Sequence, residues 1–167
     1  SVGYEGQGDS TAGLATKEGL DSYAGQLAYT TDNYGLSITG ARIETSETED
    51  DTFTAINAFF SPEEGGLPSI SVGYEWGDDG SASSSADETS SYFVGLQWDE
   101  LGDGVFGIAA GTHTPKIENG DQLMMYEAYY SYPINDGMTV TPLIYTKDMA
   151  TGTDDQTGIM VKTSFSF

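Results

Sequence analysis

Cysteine is absent from this 167-residue chain, and basic side chains are scarce. The lack of cysteine excludes disulfide bonds, thiolate zinc sites and cysteine nucleophiles. Only 5 lysine and arginine residues stand against 27 aspartate and glutamate residues, so the formal net charge is −22. Nucleic acids and anionic lipid surfaces are therefore poor partners for this chain, whereas cations and basic proteins suit its charge.

Long apolar runs and histidine are also missing or rare. No stretch of about eighteen apolar residues exists, so the sequence predicts no transmembrane helix. We interpret the start at Ser1, without a methionine or a signal peptide, as that of a mature or truncated protein. The single histidine, His113, has no discernible Ser–His–Asp partners, and we expect it to be exposed to solvent. We therefore predict no enzymatic activity, no catalytic residue and no cofactor.

Alternation of apolar with small or polar residues is the dominant pattern that is present. Between Ser69 and Trp76, one face carries Ile70, Val72, Tyr74 and Trp76, and the other carries serine, glycine and glutamate. Period-two alternation predicts β-strands, and the 11 tyrosines and 7 phenylalanines argue against a disordered acidic chain. The predicted fold is all-β and antiparallel. About ten strands are expected, near residues 2–8, 21–31, 34–44, 52–60, 68–76, 91–99, 104–112, 122–132, 138–147 and 157–167.

The connections between these strands predict a barrel. Short turns (31–33, 61–68, 100–103 and 133–137) alternate with long polar loops (9–20, 45–51, 77–90, 113–121 and 148–156). Short turns at one end and long loops at the other are typical of a transmembrane β-barrel of the outer membrane. Aromatic residues near strand ends fit the girdles that flank such a barrel. They are Tyr23, Tyr29, Tyr34, Phe60, Trp76, Tyr92, Trp98, Tyr130, Tyr132 and Tyr145.

Alternation alone does not separate a barrel from a secreted or surface β-sandwich that binds glycan or calcium. In the sandwich reading, Trp76 beside Asp78 and Asp79 is the place for a sugar to stack. Asp78 with Asp79, and Asp154 with Asp155, lack the full calcium-loop pattern, and we read them as solvated loop charge with no metal site. A third reading, a barrel enzyme of the outer membrane, conflicts with the single histidine.

Four segments, in their order and spacing, resemble the cyanobacterial outer-membrane porins of the OprB-like carbohydrate-selective group. They are Ser91–Asp99 with Gly107–Gly111, Tyr126–Tyr130, Met138–Tyr145, and Gly158–Phe167, where Phe165 and Phe167 end an in-phase amphipathic strand. The resemblance implies a homotrimer of roughly sixteen-stranded barrels that passes ions and small solutes through the outer membrane. It also implies an N-terminal peptidoglycan-tethering domain. We expect residues 1–167 to be the C-terminal portion of such a barrel, without that domain; the alternative is a reduced relative with fewer strands.

Ionisable residues in the polar phase of the strands are the candidates for lining the pore. These are Glu75, Glu127 and Lys162, and we add Arg42, the only arginine, which lies near a strand end. Sugar- and phosphate-selective pores commonly carry rows of basic residues, and this chain has no such row. We therefore expect a passive diffusion channel for inorganic ions and small hydrophilic solutes that favours cations, since Glu75, Glu127 and the acidic loops create a negative potential.

Overall fold

The computed structural model describes residues 1–6, 20–46, 48–63, 66–80, 88–113, 116–117 and 120–166. In these residues the secondary structure consists of antiparallel β-strands, as the alternation predicts. Strands β1 to β11 are Val2–Gly6, Asp21–Thr30, Tyr34–Glu44, Asp50–Phe60, Ser69–Asp78, Glu88–Leu101, Gly104–Thr112, Lys116–Ile117, Met124–Asn135, Met138–Lys147 and Gln156–Phe165. The predicted strand residues 7–8 and Phe167 lie outside the described part of the chain.

All described strands belong to one sheet whose order follows the chain. The path runs β1-β2-β3-β4-β5-β6-β7-β9-β10-β11, and the short β8 pairs with β6 beside this path. In a β-sandwich the strands would instead be divided between two packed sheets. The sheet is open: within the described residues β1 pairs with β2 alone and β11 with β10 alone. The prediction of an antiparallel all-β fold is confirmed, and closure into a barrel stays a prediction.

Tight turns join several of the hairpins at one end of the sheet, which we name the turn end. Gly102 has a φ of 69°, a left-handed conformation that favours glycine, and it lies in the two-residue turn between β6 and β7. Between β9 and β10, the Asn135 side-chain oxygen accepts a hydrogen bond of 2.9 Å from the Gly137 amide. This local bond is typical of Asn in turns and agrees with the hairpin predicted there.

The opposite end, which we name the loop end, departs from the predicted boundaries. β4 begins at Asp50, whereas the acidic segment 45–51 was expected to be a loop. Asp50 lies opposite Glu44 in the register, and Arg42 provides the compensating charge, with its Nε 2.7 Å from the Asp50 carboxylate. Connection 45–49 has five residues and connection 61–68 has eight, so the predicted strict alternation of short turns and long loops was wrong at this point.

Cross-strand register divides the side chains between two faces. One face, which we name the convex face, carries a central apolar row: Leu36, Ala58, Val72, Val94 and Ala110 lie opposite one another from β3 to β7. The other, the concave face, carries Ser37, Asn57, Gly73, Phe93 and Gly111 in the adjacent row. The register therefore keeps the alternation of every strand in phase with that of its neighbours.

The sheet exposes its apolar face and shelters its small and polar face, which is the reverse of the arrangement in a water-soluble protein. Along β3, Leu36 and Ile38 are 56% and 47% exposed, whereas Ser37 and Thr39 are half-buried and Gly35 is buried. β5 repeats the pattern, with exposed Val72 and Tyr74 flanking buried Gly73. The small and polar side is thus the sheltered one. We conclude that the sheet curls toward that face and presents its apolar side outward.

Aromatic residues form two belts on the convex face. The turn-end belt contains Tyr29, Tyr34, Phe60, Trp98, Phe106, Tyr130, Tyr132 and Phe165, and the loop-end belt contains Tyr4, Tyr23, Tyr74, Trp76, Tyr92 and Tyr126. Neighbouring rings lie close within each belt, with centroids 5.8 Å apart for Trp98 and Phe106 and 5.7 Å for Tyr74 and Trp76. Nine of the ten predicted girdle residues lie on this face. Tyr145 lies on the concave face instead, because it is in phase with Glu127.

Both belts run obliquely across the strands. Relative to the row of residues paired with Tyr34, the loop-end belt lies eight residue pairs away at Tyr23, six at Trp76, four at Tyr92 and two at Tyr126. Each belt therefore shifts by about one residue per strand. With a rise of about 3.3 Å per residue and about 4.8 Å between strands, this shift corresponds to a strand tilt of about 35°. Membrane barrels have tilts in the same range.

Candidate functional site

A groove on the concave face is the candidate site. It has a volume of about 590 Å³ and crosses the sheet from β4 to β9. Its wall includes the aromatic rings of Phe59, Phe93 and Tyr129. Polar lining comes from Ser69, Ser71, Gln97 and Glu127. A groove that reaches across five strands follows from the curvature of the sheet, and its mixed aromatic and polar wall suits hydrated solutes.

Three of the four predicted pore-lining residues lie on the concave face, at three different heights. Glu75 lies between Ala55 and Ser91, nearest to the loop end. Glu127 lies opposite Ala109 and Tyr145, four residue pairs closer to the turn end, and it lines the groove. Lys162 on β11 lies opposite Thr141, a further four pairs toward the turn end. Both glutamates are half-buried and Lys162 is exposed, so the three charges share one face without forming a cluster.

The fourth predicted residue, Arg42, lies on the convex face. Its register partners are Tyr23 and Thr52, and its guanidinium contacts Asp50 at 2.7 Å and Glu44 at 3.9 Å. The alternation of β3 fixes this placement, since Arg42 is in phase with Leu36 and Ile38. The sequence makes Arg42 a pore-lining candidate, whereas its register places it on the face opposite the groove. Arg42, Glu44 and Asp50 form a charged rim at the loop end, where Arg42 is level with Tyr23 and away from the groove.

Tyrosine hydroxyls lie beside this rim. Asp21 is only 4% exposed, and its two carboxylate oxygens accept hydrogen bonds from Tyr4 at 2.9 Å and Tyr23 at 3.2 Å. The ring centroids of these tyrosines are 5.3 Å apart. The loop-end belt therefore has polar partners for its hydroxyl groups and apolar neighbours for its rings, as a residue at a boundary between two media requires.

A hydrogen-bonded chain on the concave face was not predicted from the sequence. Tyr129 on β9 reaches over β7 and donates to the Gln97 side-chain oxygen at 2.6 Å, and the Gln97 amide donates to Asp99 at 2.6 Å. Lys147 on β10 also lies on this face, opposite Met125 and Gln156. The phase of alternation could have identified Asp99 and Lys147, because each is two residues from a concave-face side chain. The reach of Tyr129 across a strand carries no sequence signal.

The remaining candidate residues lie at the loop end. His113 is half-buried, not exposed as predicted, and its Nε2 lies 2.9 Å from the backbone oxygen of Asp148. Asp155 accepts a hydrogen bond from the Met149 amide at 3.3 Å, and Asp154 is exposed. Trp76 and Asp78 share the convex face, where Asp78 lies opposite Glu88. In the part of the chain that the structure describes, no group of three acidic, histidine or cysteine side chains is placed to hold a metal ion.

Comparisons with known proteins add no assignment: no family model, curated protein or solved structure matches this chain. The described residues also contain no helix with the length and hydropathy needed to cross a membrane.

The Tyr129–Gln97 hydrogen bond yields a stability prediction. Tyr129→Phe removes one donor and leaves the Gln97 oxygen without it, so the free energy of unfolding should fall by about 1 kcal/mol. Urea titration of the refolded protein, followed by tryptophan fluorescence, measures this change. Tyr126→Phe, on the convex face of the same strand, is the matched control and should have a smaller effect. Equal losses in the two variants would contradict the importance of this bond.

Proposed function

We propose that this chain forms part of the wall of an outer-membrane porin. In this proposal the convex face contacts lipid and the concave face lines a water-filled channel. The channel passes inorganic ions and small hydrophilic solutes by diffusion, favours cations and catalyses no reaction. The resemblance to the cyanobacterial porins adds the expectation of a homotrimer in the outer membrane, and of further strands that complete a barrel of roughly sixteen.

The inverted exposure of the two faces is the observation that carries this proposal. Soluble monomers rarely expose contiguous apolar patches larger than a few hundred Å². Here the exposed apolar row extends over strand after strand, and Leu27 and Ile159 near the two edges are 76% and 78% exposed. Water would disfavour such a surface, whereas hydrocarbon chains would solvate it. Strands of ten to fourteen residues, apart from the short β1, β7 and β8, agree with a tilted span of a bilayer core.

The oblique aromatic belts support the same orientation. On β2, β6 and β9, six residues separate the belts: Tyr23 from Tyr29, Tyr92 from Trp98, and Tyr126 from Tyr132. Because the separation is constant while the belts shift from strand to strand, they bound a band of nearly uniform height. Aromatic side chains gather at the two interfaces of a membrane, since a ring with a polar group suits the boundary between hydrocarbon and water. The belts thus support a bilayer as the medium around the convex face.

Open edges are consistent with a larger barrel. Backbone groups on the free sides of β1 and β11 need partners in lipid, because an unsatisfied amide or carbonyl in hydrocarbon costs several kcal/mol. Additional strands of a barrel would provide those partners. The charge of the concave wall supports the cation preference: Glu75, Asp99 and Glu127 contribute carboxylates, and Lys147 and Lys162 are the basic residues on the same face of the described strands.

Conductance provides the first test of the channel. Natively extracted protein in a planar bilayer should give discrete current steps. Under a salt gradient, the sign of the reversal potential should show that cations cross more readily than anions. Glu127→Gln should lower this cation preference, since it removes a charge from the groove wall. Arg42→Gln is the control and should leave the preference unchanged, because Arg42 lies on the opposite face. No steps from folded protein would contradict the porin, and anion preference would contradict the role of the carboxylates.

Neighbouring residues on β7 test which face meets lipid. Ile108 lies on the convex face with Leu96, and Ala109 lies on the concave face with Glu127. Ile108→Lys should destabilise the membrane-inserted protein by about 2–4 kcal/mol, the cost of a lysine near the bilayer midplane. Ala109→Lys should cost much less, because the channel is wet. The amounts of heat-modifiable protein and the urea midpoints in vesicles measure both effects.

If Ala109→Lys destabilised the protein more than Ile108→Lys, the assignment of the convex face to lipid would be wrong. If the convex face were in water, Ile108→Lys would improve solubility, and the protein would remain monodisperse without detergent. Ala109→Lys would then be the more damaging change, since the sheltered face would be the core.

A further inference from the structure

Aromatic side chains on the concave face lie over glycines of the neighbouring strand. Five such pairs occur in the described sheet, and in each the two residues are direct register partners. They are Phe59 over Gly35, Phe93 over Gly73, Phe53 over Gly77, Tyr129 over Gly107 and Tyr145 over Gly158. The recurrence across β3 to β11 indicates a common structural role for these glycines.

In each pair the ring takes the space that a Cβ atom would need. A Cβ added at Gly77 would lie 2.5 Å from Cδ1 of Phe53, and one added at Gly107 would lie 2.6 Å from the Tyr129 hydroxyl and still closer to its ring. By contrast, a Cβ at Gly25 or Gly40 on the convex face would meet nothing within 4 Å. Absence of a side chain at the five concave positions therefore allows the rings to lie against the sheet.

Because the rings of these pairs lie flat against the sheet, they leave the groove open. Side chains of a strand stand roughly perpendicular to the sheet, so an aromatic residue on the concave face would ordinarily project into the groove. Phe59, Phe93 and Tyr129 line the groove while they lie on Gly35, Gly73 and Gly107. Tyr129 is held in this position by a second contact, its hydrogen bond to Gln97 on the strand beyond Gly107.

We propose that these aromatic–glycine pairs set the width of the permeation path and thereby the size of solute that passes. The glycines act as size-determining residues, because each keeps one ring out of the channel. This inference rests on the proposed porin function of the concave face. Permeating cations of increasing radius, from potassium to the tetraalkylammonium ions, are the class of solute that reports the width.

The pair of Gly107 and Tyr129 gives the sharpest test. Gly107→Ala displaces the ring from the wall, so single-channel conductance should fall, and the fold-decrease should grow with the radius of the cation. Gly95→Ala is the matched control: it adds the same methyl group to the groove wall, where it would meet only the Ser71 hydroxyl at 2.9 Å. Tyr129→Ala in the Gly107→Ala background should restore the passage of large cations, since no ring remains to be displaced.

Two results would overturn the size-determining role of the glycines, and a third would overturn the porin function on which it rests. A Gly107→Ala channel with the size profile of the Gly95→Ala control would overturn the inference, as would a loss that Tyr129→Ala does not relieve. If Gly107→Ala does not yield heat-modifiable protein, the same comparison at Gly35 and Phe59 decides the question. Lack of conductance in the unsubstituted protein would overturn the porin function itself, before any variant is compared.

Discussion

Hydrogen bonding between strands that are adjacent in the chain is the interaction on which the rest of the structure depends. Each strand from β2 to β10 in the path pairs with the strands before and after it, with β8 outside that path. Continuous registers such as that of β3 with β4 hold eleven residue pairs. Since the side-chain period of a strand is two, such registers keep one face apolar and the other small or polar across the whole sheet. A slip of one residue would move Leu36 and Ile38 to the sheltered face and Ser37 to the exposed one.

Two groups of glycines occur in the sheet, those in open space and those that lie beneath an aromatic ring. Gly25 and Gly40 face outward into open space, and their lack of a side chain affects no neighbour. On the concave face, Gly73 and Gly107 are buried beneath the rings of Phe93 and Tyr129. These glycines thus provide the space in which the two rings lie against the concave face.

Much of the fold could be predicted from the sequence because period-two alternation is a local signal. The strands near 34–44 and 138–147 have the predicted bounds in the structure, and the turn at Asp136–Gly137 follows from its residue types. The start of β4 was misplaced, because the ion pair of Arg42 with Asp50 depends on register, which local patterns do not reveal. For the same reason the sequence did not predict the pairing of β8 with β6 or the Tyr129–Gln97–Asp99 chain. Glu75, Glu127 and Lys162 were predicted on one face from phase alone, but their different heights required the paired strands.

Contact between the convex face and lipid is the central claim, and the two tryptophans test it most directly. Trp76 lies in the loop-end belt and Trp98 in the turn-end belt, and the chain contains no other tryptophan. Fluorescence of the protein reconstituted in vesicles of brominated phospholipids, with Trp76→Phe and Trp98→Phe to separate the two signals, measures their contact with acyl chains. Both tryptophans should be quenched, most strongly by bromines placed near the headgroups. Quenching by aqueous iodide alone, with no effect of brominated lipid on either residue, would contradict a lipid-facing surface.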